Sequence, residues 1–144
     1  MEETKIFEAN LDLTLHSQAV LELTNQYAAD PMGDGKPLSP DVAKELIPGL
    51  SKHPTTIIFL AFQDKKAVGI ATCFLEFSTF RAKAMIHISD FFLIPEFRGK
   101  KIGRMLLEAV HQKAVELKCC KIILEVQENN TRAQEVYRQA GFSR

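Results

Sequence analysis

The stretch Phe91 to Ala109, FFLIPEFRGKKIGRMLLEA, decides how the chain reads. Its front half closes a strand and its back half opens a helix; Pro95-Glu96-Phe97-Arg98-Gly99-Lys100-Lys101 turns between them. A strand that runs into a helix N-terminus leaves the first amide N–H groups of the helix without intrahelical partners. Gly99 and Gly103 let backbone approach a ligand closely, and the helix dipole favours an anion there. Arg98, Lys100, Lys101 and Arg104 put four cations at the end of the helix where cations oppose the dipole. A solvated basic helix start is the plain alternative. An anion that repays the repulsion is the reading preferred, with the shape of a pyrophosphate cradle. Neither GxxxxGK[ST] nor GxGxxG occurs, so this is not a familiar nucleotide loop.

Outward from this segment, the helix continues with Ile102, Met105, Leu106, Ala109, Val110, Ala114 and Leu117 on one apolar stripe. Lys121–Gln127 then predicts a strand parallel to the one before the helix, a βαβ unit. A last helix carries Ala133, Val136, Tyr137 and Ala140 on one face and stops at Gly141. Upstream, Thr55–Phe62, Ala67–Phe80 and Ala84–Ile94 predict an antiparallel meander. Strict alternation along the third strand puts Met85, His87, Ser89, Phe91 and Leu93 on one face, and Ile86, Ile88, Asp90 and Phe92 on the other. Earlier still come a short strand Lys5–Asn10, a helix Thr14–Ala29, and a loop Asp30–Ser39. A second helix opens at Pro40 behind Ser39 as N-cap and is expected to weaken or end at Pro48-Gly49. The fold class is α/β, one domain over residues 1–144: a mixed central sheet flanked by helices in the order β-α-α-β-β-β-α-β-α.

Composition excludes several classes of function. Eighteen basic residues balance eighteen acidic ones, so the net excess of Lys and Arg usual in nucleic-acid binders is missing. The longest apolar run, Ile57–Phe62, is too short for a bilayer, and no signal peptide is evident, so neither a nucleic acid nor a membrane is an expected partner and the location is read as cytoplasmic. Cys73, Cys119 and Cys120 are read as free thiols; with no Cys/His grouping, no metal is expected.

Arg98-Gly99-Lys100-Lys101-Ile102-Gly103 resembles the [Q/R]xxGx[G/A] signature of the GNAT-type N-acetyltransferase family, with Lys101 standing at the family's central glycine. Leu124, Val126, Asn130, Ala133, Tyr137, Gly141 and Phe142 match the second signature, LxVxxxNxxAxxxYxxxGF. The resemblance covers roughly Thr55 to Phe142, and the small bacterial-type members are the most alike. It implies acetyl-CoA as cosubstrate, a primary amine of a small molecule or protein as acceptor, and direct transfer in a ternary complex. Backbone groups of Phe91 and Leu93 would hold the pantetheine arm, and an amide at or beside Leu93 would polarise the thioester carbonyl. The segment 98–104 (Arg98, Gly99, Lys100, Lys101, Ile102, Gly103 and Arg104) would hold the pyrophosphate, with Asn130, Ala133 and Tyr137 also against the cofactor. Tyr137 is the expected general acid and Asp90 the expected general base, with His87 and Glu125 as alternatives. Pro31–Leu38 with Phe74, Phe77 and Phe80 is the expected acceptor wall.

Family members usually continue past the Gly-Phe pair with further strands, whereas this chain stops at Arg144, so C-terminal strands are expected to be missing. A shortened chain, a homodimer in which a second copy covers the strand edge, and a degenerate domain are the alternatives. The competing functional reading is a non-catalytic acyl-CoA-binding or regulatory protein of the same fold, which Lys101 favours and Tyr137 opposes.

Overall fold

The computed structural model describes residues 3–125 together with Gln134, Glu135, Tyr137 and Arg138. Among the described residues five strands form one sheet in the order β1-β2-β3-β4-β5: β1 (Thr4–Glu8), β2 (Thr56–Gln63), β3 (Lys66–Ser78), β4 (Lys83–Leu93) and β5 (Ile122–Leu124). The first four pair antiparallel and β5 lies parallel to β4. Helices α1 (Thr14–Ala29) and α2 (Pro40–Lys52) connect β1 to β2, and α3 (Ile102–Glu116) makes the crossover from β4 to β5. Gln134, Glu135, Tyr137 and Arg138 are helical. The expected α/β architecture and element order therefore hold as far as the described residues reach. Val126, Gln127, Asn130, Ala133, Val136, Ala140, Gly141 and Phe142 lie outside them.

Two apolar layers hold the sheet. On one face α3 lays Ile102, Leu106, Leu107, Val110 and Ala114 over Ile57, Phe59, Ala71, Ile86, Ile88 and Leu93. On the other, Ala19, Val20 and Leu23 of α1 cover Ile58, Leu60, Ile70 and Phe92. Full burial of one such aliphatic side chain is worth about 1.5–3 kcal/mol, so these two stripes fix which sheet face each helix takes. β2 is buried along nearly its whole length, as a strand sandwiched on both faces must be.

Two expectations need correction. The second helix does not end at Pro48-Gly49 but runs through both to Lys52. Pro48 is exposed, and Ile47 and Leu50 on either side pack against the α1 layer, so burial on that face outweighs the lost backbone bond. The helix starts as expected, with Ser39 Oγ accepting the N–H of Val42 at 3.3 Å.

The alternation along β4 also breaks. Thr72 pairs with Asp90 but its neighbour Cys73 pairs with Ile88, so Ser89 is an extra residue, a β-bulge. Beyond it the faces exchange parity. Ile86, Ile88, Phe91 and Leu93 all pack with the α3 layer, and Phe92 packs with the α1 layer. Asp90, two residues from Phe92, and His87, between Ile86 and Ile88, therefore share the α1 face.

Candidate active site

The bulge also turns the backbone of β4. The N–H of Ile86 points to β5, where it meets the carbonyl of Lys121 at 3.1 Å, while the N–H of Ile94 points to β3 and meets Val68 at 2.9 Å. Both residue numbers are even, so strict alternation would send both groups the same way; the extra residue between them reverses the sense. Counting back from Ile94, the N–H groups of Leu93 and Phe91 face the β5 side. Among the described residues β5 pairs with β4 only at Ile86, His87 and Ile88. The edge at Phe91 and Leu93 thus lies beyond that pairing.

This edge leads directly into the cationic turn. Pro95–Phe97 makes one 3-10 turn, and α3 follows. Gly99 and Lys101 both take left-handed backbone, φ 81° and 65°. A lysine in this region is held there against about 1–2 kcal/mol of steric cost. Lys101 therefore reproduces the backbone geometry that glycine supplies freely. The first amide of α3 to find an intrahelical carbonyl is that of Met105, bonded to Lys101 at 3.2 Å; those of Ile102, Gly103 and Arg104 precede it. Gly99, Lys100, Lys101 and Arg104 are exposed at this end, whereas Ile102 and Gly103 are buried. Lys100 lies over the Phe97 ring at 5.4 Å, and Arg104 lies 3.8 Å from Glu108 one turn along.

Arg98 does something different from its neighbours. Its Nε donates to the carbonyl of Leu93 at 3.2 Å, its Nη2 lies 3.4 Å from Asp30 Oδ2, and its guanidinium sits over the Phe92 ring at 5.7 Å. It faces the protein and fastens the end of β4 to the end of α1.

Tyr137 is 6% exposed and meets Phe91 edge-on, ring centroids 5.3 Å apart. Burial raises its phenol pKa well above the ordinary value, with a smaller contribution from Tyr27, so the hydroxyl stays protonated. Burial likewise raises the carboxyl of Asp90 above the usual carboxylate range. Tyr27, whose ring packs on Phe92 at 5.5 Å, is raised first by burial and then by the charges of Asp90, Asp30 and Asp34. Tyr27 thus lies within electrostatic reach of both Asp90 and Tyr137, although these two belong to opposite faces of β4.

The alternative bases form a separate group. His87 Nδ1 lies 2.9 Å from Glu76 and its Nε2 3.6 Å from Glu125. The aromatics expected with the 31–38 loop do not gather there. Phe74 packs on His53 at 4.7 Å, and Phe77 and Phe80 are exposed at the far tip of the β3–β4 hairpin. A cleft of about 500 Å³, lined in part by Glu8, Asp12, His53 and Thr56, lies on the β1–β2 side of the sheet, with β3 between it and β4. Sequence reasoning gave Tyr27 and Asp30 no part in the site: Tyr27 reads as one more residue of the apolar face of the helix Thr14–Ala29 and Asp30 as the first residue of the loop, and nothing local pairs Asp30 with a residue sixty-eight positions away.

Comparison with known proteins bears on the family and the fold. The Acetyltransferase (GNAT) family profile matches residues 20–142. The thialysine N-ε-acetyltransferase of Bos taurus is 30% identical over 74 residues, which are 51% of this chain and 43% of that protein, so the match spans less than half of the relative. Among solved structures, a probable acetyltransferase superposes with a TM-score of 0.85 at 22% identity, covering 97% of this chain and 90% of that one. The aminoglycoside N-acetyltransferase AAC(6')-Iy, solved with CoA, superposes at 0.80 and 18% identity over 100% of this chain and 90% of its own. These two likenesses are of fold. With its strand edge, its cationic helix start and a profile match over most of its length, the chain belongs to the GNAT acetyltransferase family.

Proposed function

We propose that this protein is an N-acetyltransferase that moves the acetyl group of acetyl-CoA directly to a primary amine of a small molecule or protein. The observation that carries the reading is the bulge at Ser89, which aims the N–H groups of Phe91 and Leu93 outward just ahead of the left-handed, cationic turn. An elongated amide-rich arm ending in a pyrophosphate fits that sequence of donors: strand-like hydrogen bonds first, then helix amides with Lys100, Lys101 and Arg104. When bound, acetyl-CoA supplies an activated thioester carbonyl and a thiolate leaving group. The outward amides at Phe91 and Leu93 stabilise negative charge on that carbonyl oxygen.

Asp90, its carboxyl raised by burial, accepts a proton from the acceptor ammonium more readily than an ordinary carboxylate does. Tyr137, protonated and packed on Phe91, donates to the departing sulfur. A route through an acyl-cysteine is disfavoured: burial pushes the Cys73 thiol up to about 12, and burial raises Cys119 as well, so neither thiol is activated. The bovine relative's name supports an alkyl amine as the acceptor class. Lys101 no longer favours a non-catalytic binder, because its backbone already has the glycine-like conformation.

Calorimetry with acetyl-CoA, followed by thiol release across a panel of primary amines, tests the reading. Micromolar binding and amine-dependent thiol release are expected; absence of binding up to millimolar concentrations sinks it.

A further inference from the structure

Asp30 is the C-cap of α1, and its two carboxylate oxygens serve two different segments. Oδ1 accepts the N–H of Met32 at 2.9 Å and so fixes the entry to the 31–38 loop. Oδ2 pairs with Arg98, whose Nε in turn holds the carbonyl of Leu93. The backbone N–H of Asp30 is tied to α1 through the carbonyls of Gln26 and Tyr27. The Asp30 side chain is 13% exposed and that of Arg98 28%, so the pair is less screened than a surface pair. The planar guanidinium presents two separate nitrogens in a fixed fork, Nε to the carbonyl and Nη2 to the carboxylate. One chain of contacts therefore runs from the loop at Met32, through Asp30 and Arg98, to the outward edge at Leu93 and the cationic turn behind it.

We infer that Asp30 is a positioning residue that couples the 31–38 loop to the acetyl-CoA site, an inference that rests on the acetyl-CoA reading above. Engagement of residues 98–104 holds Arg98, Arg98 holds the Asp30 carboxylate, and the carboxylate holds the loop. The coupling is reciprocal: whatever orders the loop also tightens acetyl-CoA.

The test is hydrogen exchange of the segment 28–40 with and without acetyl-CoA, alongside calorimetry, in the native protein and in Asp30→Asn. Asparagine keeps an oxygen for the Met32 N–H but presents no carboxylate to Arg98. Acetyl-CoA should add protection to this segment in the native protein and little in Asp30→Asn, whose acetyl-CoA affinity should fall about fivefold. A merely structural Asp30 would change protection in the free protein and leave the acetyl-CoA-induced increment unaltered. An equal increment in both proteins, or no increment in a native protein that binds acetyl-CoA, overturns the coupling alone. A native protein that gives no binding heat overturns the functional reading and the coupling with it. Should Asp30→Asn fail to fold, Arg98→Met removes both donors and the charge of the same link, and the increment should be lost there too; its persistence overturns the coupling.

Discussion

Asp90 lies directly across β3 from Thr72, while Cys73, the next residue along β3, faces Ile88. That one-residue slip carries Asp90 to the α1 face beside Tyr27 and sends Phe91 to the opposite face beside Tyr137. The two groups proposed to handle protons are thus brought to either side of one strand edge, and the consequences can be measured.

Removing the hydroxyl of Tyr137 leaves its ring against Phe91. Tyr137→Phe should therefore melt close to the native temperature and bind acetyl-CoA normally, yet lose about 100-fold in kcat. Steady-state thiol release checks this; unchanged turnover removes Tyr137 as the acid.

Asp90 has a folded-state pKa raised by burial. The native state therefore binds this proton more tightly than the unfolded chain, whose value is about 3.9. Between those two values stability falls as pH rises, and above both the ionised group opposes folding by a constant amount. Asp90→Asn should raise the melting temperature at pH 7, with the advantage shrinking as pH falls through the raised pKa. The same variant should lose the acidic limb of the kcat/KM profile along with most of its activity. Native-like activity and pH dependence would exclude Asp90 as the base.

Lys101 sits at φ 65° without the freedom of glycine. Lys101→Gly relieves a left-handed penalty of about 1–2 kcal/mol and returns about 0.5–1 kcal/mol through the more flexible unfolded chain. The net expectation is a melting temperature higher by about 1–3 °C with acetyl-CoA binding retained. A lower melting temperature contradicts the conformational account.

Gly33 packs against the last turns of α1, where an added Cβ would overlap the carbonyl oxygen of Tyr27. Backbone cannot yield as a side-chain tip does, so Gly33→Ala should cost about 1–3 kcal/mol or displace the 31–38 loop. Denaturant melts and the exchange of segment 28–40 read the two outcomes; an unaffected stability and loop contradict the packing.

By itself the sequence determined the α/β order, the helix α3 and the cationic turn, because apolar periodicity, Gly and Pro placement, and clustered charge are local properties of the chain. Four of the five described strands were also legible within two residues of their observed ends (Asn10 and Phe80, the expected ends of β1 and β3, being the widest of these), since β-branched and aromatic runs between turn residues declare themselves. Helix α2 showed the limit of this, because whether a helix passes through Pro48 depends on what Ile47 and Leu50 bury on either side. The site itself was decided in three dimensions. Period-two alternation cannot announce an extra residue at Ser89, since a bulge is set by how β4 must pair with β3 while two helices compete for its faces. Arg98 looked like one more cation of the turn; only the packing of α1 against β4 brings Asp30 to it. The chemistry-bearing residue types were written into the chain, and tertiary structure chose the face, edge and partner of each, because those depend on contacts between segments dozens of residues apart.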